Sequence, residues 1–193
     1  MELIPRSQLG WLNGWILLAV YGLVLLGMLG SFPREVVARL FYEPASHKTS
    51  VEKAAKAIGQ LAAFAFIALA LFSPLKIRAI TGYLGLGIYV LGMGTVIKAL
   101  VDFRDTPMDQ PVTRGVYHIS RNPQWVGLAL VFLGTAIVIS AWLALALVGV
   151  VIVSYHFEIL TEERVCLEQY GEAYAAYLKR IPRYLGFDRE ISP

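Results

Sequence analysis

The chain is poor in charge and in cysteine. Only 16% of its 193 residues are Asp, Glu, Lys or Arg, while 57% are hydrophobic. A soluble domain carries about a quarter charged residues, so this apolar excess has to be buried in something larger than a protein core. Cys166 is the sole cysteine, which excludes an internal disulfide and a cysteine-based metal centre. His47, His118 and His156 are scattered and make a poor ligand set, so no metal is expected. The formal net charge of +3 is too small to argue for nucleic acid as a partner. Neither a glycine-rich dinucleotide fingerprint nor a phosphate loop occurs, so a nucleotide-type ligand would need some other arrangement. The length suits one domain of stacked helices and leaves no room for a separate soluble catalytic unit.

What the chain has instead is long uncharged runs. Trp11–Gly30 is close to the roughly 20 apolar residues a spanning helix needs, with Trp11 and Trp15 as interfacial anchors. No small-residue cleavage site follows it, so it reads as a retained span and not as a signal peptide. Ala57–Phe72, ended by Ser73-Pro74, is a second span, and Ile80–Val101 a third. The third holds Gly82, Gly85, Gly87, Gly92 and Gly94, which suits close approach of a neighbouring helix. Trp125–Tyr155 carries no charge; it is too long for one ordinary span and short for two. Ser140-Ala141-Trp142 near its middle predicts a helical hairpin with short or tilted arms. The expected fold class is an all-α integral membrane protein with five transmembrane helices, a single membrane domain over residues 1–193 whose first three spans occupy 1–101.

Two further helices are expected outside the spans. A short interfacial helix at Glu35–Phe41 lies in the polar connector Ser31–Lys56, and a mixed-polarity helix at Glu158–Lys179 is ended by Pro182. The latter is either a helix on the membrane surface or a lid over a site. With five spans the termini lie on opposite sides. The N-terminus, the Ser73–Ala79 loop and the hairpin tip carry Arg6, Lys76 and Arg78, whereas the other face carries most of the remaining basic residues, from Arg34 and Arg39 to Arg183 and Arg189. The bias makes that second face cytoplasmic and the N-terminus external.

Both polar clusters fall on the cytoplasmic face. The first is the loop Asp102–Gln124. Within it, Asp105-Thr106-Pro107 and Gln110-Pro111 enforce extended or turned backbone, and Gly115 permits a close backbone approach. Tyr117 and Trp125 offer flat surfaces, Asn122 an amide suited to a nucleobase edge, and Pro123 a tolerated first-turn proline for the fourth span. Lys98 either snorkels or pairs with Asp102. The second cluster is Glu162-Glu163, with Glu158 one turn earlier and so able to share the face of Glu162. Acidic residues there are equally explained as a solvated helix start. His156 and Glu158, at the end of a span, are either site residues or snorkelling ones.

The order Gly115-Val-Tyr117, Arg121-Asn122-Pro123-Gln-Trp125, Glu162-Glu163 and Tyr170-Gly171-Glu-Ala-Tyr174-Ala-Ala-Tyr177 resembles the isoprenylcysteine carboxyl methyltransferase family and its relatives among the phospholipid methyltransferases. The resemblance covers Asp102–Pro182 and makes 102–193 the cofactor-binding catalytic half. It implies S-adenosyl-L-methionine as methyl donor, contacted by Asp109, Gln110, Pro111 and Val112, by Tyr117, by Asn122, Pro123, Gln124 and Trp125, and by Glu162. It also implies a lipidic acceptor (an isoprenoid-like carboxylate, a thiol or an amine) entering from the bilayer. Where the eukaryotic enzymes have a substrate-binding arginine, this chain has Glu158, which would repel a carboxylate. Glu158, Glu163 and Arg121 are the candidate catalytic residues; if the acceptor is an amine, Glu158 or Glu163 would bind it or take its proton. Two other readings stand beside this one, a membrane sterol-type reductase using NADPH and a non-enzymatic membrane scaffold.

Overall fold

A computed structural model describes residues 1–5, 8, 10–42, 48–78 and 80–186. Arg6, His47, Ala79 and Arg189, named above, lie outside the described residues. Among the described residues six α-helices form: α1 (Trp15–Ser31), α2 (Arg34–Leu40), α3 (Ser50–Phe72), α4 (Ile80–Arg104), α5 (Pro123–Val138) and α6 (Trp142–Arg180), with a 3-10 turn at Gly115–His118 before α5. Three of them, α3, α4 and α6, are long and apolar enough to cross a membrane, and α1 and α5 are shorter apolar helices. The chain is thus an all-helical membrane protein.

The element boundaries follow local chemistry. α1 begins later than the apolar run does. Asn13 Nδ2 donates to the carbonyls of Gln8 at 2.6 Å and Leu71 at 3.0 Å, and the Leu75 N–H donates to the Leu12 carbonyl at 3.0 Å. Residues 11–14 are therefore committed to the α3–α4 connection, and the helix keeps 17 residues. α2 starts directly after Pro33, with Glu35 in its first turn and Arg39 in its last, both favoured by the helix dipole. α3 starts seven residues ahead of the expected Ala57. The cause is a capping box: Thr49 Oγ1 accepts from the Glu52 N–H at 3.3 Å and Glu52 Oε2 accepts from the Thr49 N–H at 2.8 Å. Pro123 stands in the first turn of α5. The hairpin turn after α5 puts Ser140 at φ 54°, an unusual conformation for a residue with a Cβ.

One expectation is corrected. The helix expected to begin at Glu158 is not separate from the last span: α6 continues without interruption from Trp142 past Glu158 to Tyr170 and kinks at Gly171 (φ 54°, ψ −128°). Polarity changes near His156, but no glycine or proline lies between Tyr155 and Gln169 to break the backbone. At 1.5 Å per residue the part before Gly171 is about 44 Å long, more than a hydrocarbon core of about 30 Å. Its C-terminal turns therefore project beyond the apolar layer.

The helices pack through small residues. A Cβ on Gly92 would lie 2.7 Å from the Gly127 carbonyl oxygen, and one on Gly127 would lie 3.0 Å from that of Gly92. Gly85 and Gly134 repeat the arrangement one heptad away, at 2.9 and 2.6 Å. Two backbones thus touch along α4 and α5 with no side chain between them. Gly87 and Gly94 face open space, so only part of the α4 glycine set serves packing. Gly59 of α3 instead makes room for the Ser154 side chain of α6, whose Cβ would lie 2.6 Å from a Cβ at Gly59. Phe66 of α3 stacks on Phe132 of α5 with centroids 4.9 Å apart, and the Tyr89 hydroxyl of α4 donates to the Leu17 carbonyl of α1 at 2.7 Å.

At one end of this bundle the N-terminal segment, the α3–α4 connection and the α5–α6 turn come together. The Glu2 N–H donates to the Ser140 carbonyl, the Lys76 N–H to the Val138 carbonyl, and Lys76 Nζ lies 2.7 Å from Glu2 Oε1. The loop Asp105–Asn122 and the end of α6 gather at the other. Replacing Gly92 or Gly127 by alanine should lower the melting temperature of the detergent-purified protein, by the equivalent of about 1–3 kcal/mol for overpacking. Gly87→Ala should leave it unchanged or raise it.

Candidate functional site

The site is built outward from the last turns of α4. Asp102 is buried, pairs with Lys98 one turn earlier, and accepts the Val116 N–H on Oδ2 at 3.0 Å. Of the two sequence readings of Lys98, the pair with Asp102 is thus present. Gly115 passes the carboxylate at φ 60°, and a Cβ there would come within 2.0 Å of Asp102 Oδ2. Only glycine fits both the left-handed conformation and the space. This lock sets the 3-10 turn that carries Tyr117. The Tyr117 hydroxyl accepts from Gln124 Nε2 at 3.0 Å, and its carbonyl accepts from the Tyr177 hydroxyl at 2.7 Å. Burial raises the Tyr117 phenol above its usual pKa, which favours its protonated form.

The segment before α5 is laced to the chain that follows α6. The Arg121 N–H donates to the Pro182 carbonyl at 3.0 Å, Asn122 Nδ2 to the Arg183 carbonyl at 3.1 Å, and the Gly186 N–H to the Ile119 carbonyl at 3.2 Å. Glu163, buried, lies between two arginines, 2.8 Å from Arg183 Nη2 and 3.3 Å from Arg121 Nη2. The Glu163 hydrogen bonds hold the Arg183 guanidinium still more firmly protonated. Beyond Gly171, Tyr174, Tyr177 and Ile181 pack onto Tyr117 and Ala99, so the end of α6 folds over the loop.

Between these parts lies a cavity of about 530 Å³, inside the range typical of small-molecule sites. Its polar wall combines the two sequence clusters. Trp125 Nε1 donates to Glu162 Oε2 at 3.0 Å, and the Trp125 ring lies 4.4 Å from that of Tyr155. Glu158, one turn before Glu162, also lines the cavity and is paired through Oε2 with Lys48 Nζ at 2.5 Å. Two buried polar atoms of the lining residues have no hydrogen-bond partner, Arg121 Nε and Glu158 Oε1.

Of the residues singled out in the sequence, Pro111, Val112, Tyr117, Arg121, Asn122, Pro123, Gln124, Trp125, Glu158 and Glu162 all border this one cavity. Asp109, Gln110 and Glu163 do not border it. Asp109 and Gln110 are exposed in a turn whose carbonyl groups, that of Gln110 included, point to Arg39. Glu163 is spent on Arg121 and Arg183. Asn122 has committed a donor to the tail, which narrows its part in any base recognition. His156 lies against the Tyr184 hydroxyl.

The phospholipid methyltransferase family model matches residues 77–173, half of the chain. The chain belongs to that family. Searches of curated proteins and of solved structures returned no match. The matched stretch runs from just before α4 to just beyond Gly171. It contains the glycine seam, the Asp102–Gly115 lock and both cavity-lining clusters of this methyltransferase-family chain.

Three site residues escaped sequence reasoning. Arg39 and Lys48 come from the connector before α3, and Arg183 from beyond Pro182. Their charge had been read only as topology. Nothing in linear spacing ties them to Gln110, Glu158 or Glu163, from which they are separated by long stretches of chain. Gly115→Ala should destabilise the protein by about 1–3 kcal/mol or more, since a left-handed strain and a steric overlap coincide. Glu163→Gln should cost a comparable amount by leaving two arginines facing each other. Thermal unfolding in detergent measures both.

Proposed function

We propose that the protein is an S-adenosylmethionine-dependent methyltransferase acting on a lipidic acceptor, in a cavity at the cytoplasmic face of a five-span bundle. The observation that carries the reading is the junction of Trp125 with Glu162, which joins the two polar clusters at the wall of one cavity within the family-matched region. The donor set suits the proposed cofactor, which has a sulfonium, an ammonium, a carboxylate and an adenosine. Glu162, oriented by the Trp125 indole, supplies a carboxylate for the ammonium. Arg121 Nε, buried without a partner, supplies a donor for the carboxylate. Pro111, Val112, Tyr117 and Pro123 with Gln124 give the apolar and aromatic surface that a nucleoside needs.

When bound, S-adenosylmethionine supplies a sulfonium methyl open to in-line displacement. The chain's own part is positioning and exclusion of water, which together account for several kcal/mol of such a barrier. Arg121 is held by Glu163, and through the tail by Pro182, so its orientation is set before any ligand arrives. Glu158 sits about 6 Å further along α6 toward the apolar span, on the side from which a lipid would come. Its Oε1 has no partner, so it suits an acceptor bearing an N–H, S–H or O–H group: it can orient that group and take its proton. A carboxylate acceptor would instead meet a carboxylate. The basic bias of this end, Arg39, Lys48, Lys56 and Arg121 included, supports its cytoplasmic placement, with the N-terminus outside.

Thermal shift of the detergent-purified protein separates this reading from its rivals. S-adenosylhomocysteine should stabilise it and NADPH should not. Stabilisation by NADPH alone would overturn the methyltransferase reading, and silence to both would favour the scaffold. Glu162→Gln should weaken S-adenosylhomocysteine about tenfold, the loss of one charge-assisted contact. In a methyl-transfer screen over lipid amines, thiols and carboxylates, Glu158→Gln should depress turnover of the amine or thiol accepted. Unchanged turnover on every accepted substrate would remove Glu158 from the mechanism.

A further inference from the structure

Arg39 lies outside the family-matched residues 77–173, yet it touches more of the site than any residue of the N-terminal half described above. From the last turn of α2, its Nη1 donates to the Pro107 carbonyl at 3.1 Å, and its Nη2 donates to the Gln110 carbonyl at 2.6 Å and to the Tyr170 hydroxyl at 3.0 Å. Its guanidinium carbon lies 5.0 Å from the centre of the Phe103 ring and 5.8 Å from that of Tyr170. Arg39 also borders the cavity. One planar fork thus joins α2, the end of α4, the turn leading into Pro111-Val112, and α6 one residue before its break at Gly171.

We propose that Arg39 is a positioning residue of the cofactor pocket: it fixes the Pro107–Gln110 turn, and thereby Pro111 and Val112, against Tyr170 of α6. The inference rests on the cofactor reading above. The geometry asks for arginine and not simply for a positive charge. Four acceptors on two different elements, the Thr106, Pro107 and Gln110 carbonyls and the Tyr170 hydroxyl, are reached by two terminal nitrogens held in one plane, while the same group lies over the Phe103 and Tyr170 rings. A lysine keeps the charge but has a single nitrogen, which cannot span the turn and Tyr170 while stacking on Phe103. The turn's carbonyl groups would then go to water, and the wall formed by Pro111 and Val112 would no longer be held before the ligand binds.

Isothermal titration of S-adenosylhomocysteine into the full-length protein in detergent tests this. Arg39→Lys should weaken binding about tenfold or more while the ligand-free melting temperature moves little. Tyr170→Phe, which keeps the ring and removes one acceptor, should weaken binding about threefold. Arg104→Lys is the control: Arg104 Nε pairs with Asp105 at 2.7 Å on the exposed side of the same loop, and its replacement should leave affinity unchanged. If Arg39→Lys lowers the ligand-free melting temperature but binds as wild type does, the role is structural only and the proposal fails. If Arg39→Lys cannot be purified folded, Tyr170→Phe decides, and wild-type affinity there overturns the proposal. Wild-type protein that does not bind S-adenosylhomocysteine overturns the cofactor reading, and this inference with it.

Discussion

The site depends on the backbone contact between α4 and α5. Because Gly85 and Gly92 lie directly against Gly134 and Gly127, the two helices approach more closely than any pair with side chains between them. The chain that joins them, residues 105–122, therefore has to double back within a short distance of the end of α4. That return brings Gly115 over Asp102 and lets a carboxylate, anchored on α4, cap the turn that presents Tyr117. A wider helix pair would separate Asp102 from Val116, and Tyr117 and Gln124 would lose their frame. The seam reaches the cavity itself, since Val96, which packs on Gly127, and Leu128 both line it.

A second constraint is the treatment of charge near an apolar layer. Burying an ion is costly unless it is paired and hydrogen-bonded. Asp102 has Lys98 and a backbone N–H; Glu52 has Arg164 and its own capping box; Glu163 has two arginines. Each of these carboxylates is used to hold elements together. Glu158 and Arg121 are treated differently: each has partners, and each keeps one buried atom without any. An unmet donor and an unmet acceptor at the wall of the same cavity are what a polar ligand would satisfy. This distinction separates residues that build the site from those that face what enters it.

Much of the scaffold was legible in the chain. The uncharged run Trp125–Tyr155 was too long for one span, and the hairpin lies at Ser140 as the composition suggested. Pro123 opens α5, and the motifs from Gly115 to Tyr177 pointed to the family that the later comparison identified. The capping box Thr49–Glu52 is also readable, and it starts α3 seven residues ahead of the apolar span Ala57–Phe72. The continuation of α6 through Glu158 to Tyr170 could not be read, since the change from apolar to polar sequence near His156 resembles a helix boundary and carries no backbone signal.

The sequence by itself determined the membrane class, the helical hairpin and the family, because these rest on composition, periodicity and local motifs. Only the tertiary structure decided which polar residues meet. Arg39, Lys48 and Arg183 reach the loop and α6 from distant parts of the chain, and Asp109 and Gln110, sound candidates by motif, are turned away from the cavity wall. The reason is physical: a side chain's partners in a helical bundle depend on which backbones can touch, and that is set by packing between helices, which no single stretch of sequence contains.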